Sequence, residues 1–285
     1  MNLLEAAFGA DPGAQVWSAA TGTARERWLA AVVLGGQGHY AAATSLLGAL
    51  QREPDPVLAS LAASTLASHR RQLGGHAAAR LLDGEALARL AGLRPELTDP
   101  NAVDSGGALV DALVGLAADA IGTGQLALAR RLHAAAAAAF DGLPVRAPGR
   151  WRPLTRLHWV AAEIELARGR HAESVPLAER ALAAATGAGA LRHVAKSRLV
   201  LAAGLANLPG AAEKGRAEAL LECDLHHNKG LSLHPLVWPC ALLLGHLRPD
   251  GAARWHERAK GVLSCVLLHA DPVGRRLAEA SVWVP

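Results

Sequence analysis

One spacing recurs along this 285-residue chain: a glycine, with further residues, mostly small, at fixed offsets on either side. Gly38 has Ala31 seven before it, Ala43 five after and Leu50 twelve after. Gly74 has Ala67, Ala79 and Ala86 at the same offsets; Gly124 has Ala117, Ala129 and Ala136; Gly169 has Ala162, Ser174 and Ala181. A fifth copy at Gly210 keeps Ala203 and Gly215 but carries Glu222 at the last offset, and is degenerate. The pattern restricts the fold because of what small residues permit. Two helices joined by a tight turn pack antiparallel, and small side chains at their crossing let the axes approach closely. Glycine at the turn can take the left-handed conformation that ends the first helix.

Composition agrees with helices. Ala and Leu together supply close to two fifths of the residues, whereas aromatic residues supply 4%. Ala and Leu are the strongest helix formers, and the β-branched and aromatic residues favoured in strands are scarce. With 51% apolar and 19% charged residues the chain folds rather than remaining disordered. A formal charge of +4, spread along the chain without a basic block, gives no signature of nucleic-acid binding. The N-terminal stretch MNLLEAAFGADPGAQ has no basic region ahead of its apolar residues and is not expected to act as a secretory leader. The uncharged run 230–247 holds two His and two Pro and is too polar for a membrane span. Three cysteines offer no disulfide framework, so a cytoplasmic protein with reduced thiols is expected.

The chain resembles the tetratricopeptide repeat family, most clearly in RWLAAVVLGGQGHYAAATSLLGALQREPDP (27–56) and HWVAAEIELARGRHAESVPLAERALAAAT (158–186). The resemblance covers roughly residues 20–222. It departs from the family in period, since the glycine anchors lie 36, 50, 45 and 41 residues apart. Long, irregular hairpins of this kind resemble the helical-repeat segments of large actinobacterial regulators. The fold implied is an all-α, right-handed α-solenoid of antiparallel hairpins with a C-terminal capping helix, forming one domain over 1–285. Its hairpins are expected at roughly 24–53, 57–92, 106–141, 154–187 and 190–223, with capping helices over 236–282. Residues 92–106 and 141–153, rich in Pro, Asp and Gly, read as loops, and 224–235 (DLHHNKGLSLHP) as a polar connection before the capping helices. Asp271-Pro272 is a strong helix start.

Catalytic motifs are missing. No GxxxxGK[ST] or GxSxG motif occurs, and His256-Glu257 lacks the second histidine of a zincin helix. GTGQLA at 122–127 imitates a dinucleotide fingerprint but follows a helix, not a strand. Cys223, His226, His227, His234 and Cys240 cluster in sequence, yet their spacing matches no common zinc module. No catalytic residue, cofactor or metal is therefore assigned.

In the resembled family the first helices line a concave groove that holds a peptide. Carried over position by position, the groove includes Arg25, Trp28, Ser64, Ser68, Arg71, Gln72, Asp111, Arg156, Trp159, Glu163, Ser197 and Asn207. Arg25, Arg71 and Arg156 would suit an acidic peptide or a chain-terminal carboxylate through forked hydrogen bonds. The competing assignment makes Trp28 and Trp159 packing residues between hairpins. The expected function is a non-enzymatic protein–protein interaction scaffold or adaptor with a protein or peptide partner. Membrane and nucleic acid are not expected partners, and self-association is compatible with the sequence. The alternative is a ligand- or peptide-sensing regulatory segment of a signalling or transcription-control system.

Overall fold

The computed structural model describes residues 2–282 and 284, without the side chain of Lys229. It is 77% helical, with no strand among the described residues. Fourteen α-helices follow one another: α1 (Leu3–Phe8), α2 (Ala24–Gln37), α3 (Tyr40–Leu50), α4 (Pro56–Gln72), α5 (His76–Arg89), α6 (Ser105–Gly122) and α7 (Leu126–Asp141), then α8 (Trp151–Ala167), α9 (His171–Gly187), α10 (Leu191–Ala206), α11 (Ala211–Gly230), α12 (His234–Leu247), α13 (Ala252–Leu268) and α14 (Pro272–Glu279). Helices adjacent in sequence pack in pairs along the chain.

The turns follow from local chemistry. Thr23 and Glu26 form a reciprocal capping box at the start of α2. Asp55 caps α4 with Pro56 in its first turn, and Asp271 with Pro272 does the same for α14. Gly38, Gly74, Gly124 and Gly169 all have positive φ, between +73° and +95°, the conformation glycine adopts without a Cβ penalty. The residues at the three repeating offsets around these four glycines are all buried, at 0–1% exposure. They are the helix crossings.

The fifth copy differs from its expected register. Gly210 is not among the positive-φ glycines, Gly215 and Glu222 are exposed, and Ala203 is only partly covered. The turn there has four residues, 207–210, and the buried positions move two residues on, to Ala217 and Asp224. A second departure follows. Residues 224–235 are not a long polar connection: α11 continues to Gly230, and only 231–233 separate it from α12. Leu225 and Asn228, with Asp224, are buried, so tertiary packing overrides the polar local composition.

The first helices of successive pairs also pack on one another, in the row α2, α4, α6, α8, α10, α12. No comparable row joins the second helices, so the stack curves with the first helices inside. It returns on itself, because α12 reaches α2. His234 Nδ1 lies 3.1 Å from the Gln37 carbonyl, and Ala41 N–H donates to the His269 carbonyl at 2.7 Å. Asp271 bonds Arg70 at 2.6 Å and accepts from Thr44 at 3.2 Å. The C-terminal helices thus cover the turns of the first two pairs instead of standing at a free end.

The N-terminal segment, for which the repeat pattern predicts nothing, closes the remaining gap. α1 packs on α2 and α10, with Ala6, Ala7 and Phe8 buried. Gln37 donates to the carbonyls of Pro12 and Ala14, and Leu191 N–H to that of Gly9. Among the described residues one helix, α6, is long and apolar enough to cross a membrane, but 72% of it is buried within the protein.

Candidate functional site

Ion pairs run along the inner row of helices. At one end Arg71, from the last turn of α4, lies between two fully buried carboxylates. Its Nε donates to Asp119 of α6 at 2.7 Å, and its Nη2 to Asp83 of α5. The Asp83 carboxylate lies against α6 at Gly115, where a Cβ would stand 2.2 Å from it. Burial pushes the Asp83 carboxyl up to about 7, against the opposing pull of Arg71, with the charge of Asp119 adding to the rise. Burial alone would lower Arg71; the two carboxylates outweigh it and hold the guanidinium firmly charged. Gly115→Ala should displace Asp83 from Arg71 and cost about 1–3 kcal/mol, despite alanine's better helix propensity. Urea denaturation reads the loss; an unchanged midpoint would show that Asp83 has room to move.

The middle of the row is built around Asp111 of α6, which is buried and shared by two arginines of α8. Arg152 Nη1 lies 2.6 Å from Asp111, and Arg156 Nε 2.8 Å. Every nitrogen of the Arg152 guanidinium is engaged, since its Nε and Nη2 donate to the carbonyls of Asn101 and Ala102 at 2.6 and 2.8 Å. Further along, Glu163 of α8 binds Lys196 of α10 at 2.9 Å, both side chains about one third exposed (29% and 33%).

Aromatic groups lie beside these charges. His193 of α10 stacks on Trp159 with ring centroids 5.3 Å apart, and Trp151 meets it edge-on at 5.1 Å. Phe8 from α1 lies 6.4 Å from His193 and 5.9 Å from Trp28. Burial, reinforced by Arg192, Arg152 and Arg156, keeps the His193 imidazole neutral well below its usual range.

The residues assigned to the groove separate into groups. Arg71, Arg156, Trp159 and Glu163 are brought together on the inner row, and Glu163 is near enough to Arg71 to help hold its charge. Trp28 is 1% exposed and donates to Thr65 at 3.1 Å, so it has almost no surface to offer. Gln72 accepts from the Tyr40 hydroxyl at 3.0 Å. Arg25 is tied to Asp99 at 2.6 Å, and Asn207 is exposed beyond the end of α10, donating to Ala203 O. Asp83, Asp119, Arg152, Arg192, His193 and Lys196 join the assembly without having been assigned to it. Of these, Asp119 was findable: it and the assigned Asp111 are the only charged residues of α6, and eight residues apart they share a face.

The sequence cluster around Cys223 disperses. His227 Nδ1 lies 3.5 Å from Cys223 Sγ but bonds the Cys223 carbonyl at 2.7 Å. His234 is committed to Gln37, and Cys240 is buried against Asp224, whose charge together with burial raises its thiol. Among the described residues no three His, Cys, Asp or Glu side chains group as metal ligands. Two mostly apolar clefts open elsewhere. One, of about 590 Å³, is lined by Leu225, His226, Trp255 and Arg258; the other, of about 440 Å³, by Leu87, Leu90, Leu93 and Leu109. The sequence matches no protein-family model and no curated protein sequence.

Proposed function

We propose that this chain is a tetratricopeptide-like α-solenoid that works in the cytoplasm as a non-enzymatic interaction scaffold, taking a charged peptide or partner segment on its inner row of helices. The observation that carries the reading is the fixed arrangement of Arg71, Arg156, Glu163 and Lys196. Each is partly exposed, and each is held in place by an ion pair to a neighbouring helix. A surface whose charges are already positioned loses little side-chain entropy on binding. Its two halves also differ in sign. Two carboxylates surround Arg71 at the α5–α6 end, whereas Arg152, Arg156 and Arg192 outnumber Asp111 at the α8–α10 end. Such a field favours one orientation of a charged segment over its reverse. The right-handed solenoid and the peptide groove come from the family resemblance, and the glycine register supports them.

Site-directed photo-crosslinking tests the proposal. A photoreactive residue at Glu163 or Lys196 should capture the same partner, and rising salt should reduce the yield. A matched residue on the outer face, at Arg131 of α7, should capture it poorly. Equal or greater capture from Arg131 would move the partner off the inner row and overturn the reading.

A further inference from the structure

Every other cation of the inner row is matched by a carboxylate: Arg71 by Asp83 and Asp119, Arg152 and Arg156 by Asp111, and Lys196 by Glu163. Arg192, in the first turn of α10, makes no hydrogen bond and no ion pair among the described residues, although it is not on open surface. Its side chain lies across α2 at Gly36, where a Cβ would stand 2.9 Å from Nε and 3.1 Å from Cδ. Any other residue there would push the guanidinium away. Space is thus kept for an arginine that has no protein partner.

The groups that act on it supply no negative charge. The charged and titratable groups that act on Arg192 are Tyr40 and Arg156, and burial together with Arg156 lowers its affinity for a proton. Burial, reinforced by Arg192 and Arg70 and opposed by Asp271, brings His69 down to about 3, so this imidazole is neutral. His193 is neutral for the same reasons. Both rings keep a buried Nδ1 without a hydrogen-bond partner, at 2% and 4% residue exposure. Asp111 pairs with Arg152 and Arg156, and no carboxylate among the described residues pairs with Arg192. Arg156 has further donors, because the structure commits only its Nε.

We propose that Arg192 and Arg156 form a binding site for an oxyanion, a carboxylate or a phosphoryl group, on the inner row. Planar guanidiniums match both groups through paired N–H donors, and an anion there would relieve the repulsion between two partly buried cations. The proposal rests on the interaction reading for its location and sharpens it by naming the group recognised.

Titration of the full chain at constant ionic strength tests the site. The probes are inorganic phosphate and a hexaglutamate peptide, with melting temperature and calorimetric affinity as readouts. Either probe should raise the melting temperature, because a ligand that binds only the native state stabilises it. Arg192→Gln should weaken that probe by about tenfold or more, and Arg192→Lys by less. A response to the peptide alone assigns a carboxylate, and a response to phosphate alone assigns a phosphoryl group. Without added anion, Arg192→Gln should melt no lower than the wild type, since it removes an unpaired charge. The site is refuted if neither probe binds the wild type, or if Arg192→Gln responds as the wild type does. If that variant fails to fold, the wild-type titration set against Arg192→Lys decides. Capture at positions 163 and 196 without any anion response would overturn the oxyanion site alone; an anion response without capture there would overturn the partner reading alone.

Discussion

Replacing Arg71 with methionine is expected to destabilise the chain by about 3–5 kcal/mol at pH 8, which for a protein of marginal stability is a large fraction of the total. The size follows from what is left behind. Asp83 and Asp119 are 1% and 0% exposed, and each loses the guanidinium that compensates its burial. The loss should also depend on pH in a defined direction. Asp83 already titrates near 7 in the folded protein, above its unfolded value of 3.8. Without Arg71 it rises further. The native state then holds a proton that the unfolded state has released, so its contribution is complete below about pH 4 and disappears as pH rises through the folded pKa. The gap between variant and wild type should therefore be widest at pH 8 and narrower at pH 5. The buried histidines His69 and His193 have lowered pKa values and contribute the opposite slope, but equally in both proteins. His76, beside Arg71, is the exception, since Arg71 helps to depress it. Urea denaturation at the two pH values measures the gap; a loss below about 1 kcal/mol at pH 8 would mean that water already reaches the carboxylates. Adding Asp83→Asn to the variant should recover part of the stability.

The ion-pair network also shows where sequence reading stops. The four hairpin turns were legible because their determinants are local: a glycine that must turn left-handed, and small residues that must face a neighbouring helix a few residues away. The pairing of Arg71 with Asp119, or of Arg152 with Asp111, depends on how far one helix pair is rotated against the next. No local signal encodes that rotation. The same holds for Arg25, which looks like a groove residue by position but is drawn to Asp99 in the loop before α6. The register shift in the fifth pair arose from a turn one residue longer than most. Polar composition at 224–230 pointed to a loop, although Asp224 and Asn228, four apart, share the buried face of α11. α1 was invisible for a simpler reason. Six residues are too few for a helical period to show, and its stability comes from Phe8 and two alanines packed on α2 and α10.

Trp28 separates the partner and packing assignments most sharply, because they predict different phenotypes. A partner anchor would lose affinity on truncation and leave the fold intact. Trp28 instead lies inside the junction of α1, α2 and α4, against Phe8, with its indole N–H on Thr65. Trp28→Ala should therefore cost about 3–5 kcal/mol through lost burial and the cavity left behind. One of the ring contacts that hold Phe8 disappears with it, while the contact with His193 and the few hydrogen bonds to residues 9–14 remain. The N-terminal segment should then exchange its amide hydrogens and yield to protease before the rest of the chain opens. Trp28→Phe keeps the ring contact but drops the bond to Thr65, and should lose less. Partner capture by the fraction still folded should be unchanged in Trp28→Ala and reduced by reversal at Lys196. If capture instead fell in a Trp28→Ala protein of wild-type stability, the indole would belong to the binding surface, and α1 would have to leave its seat for the partner to reach it.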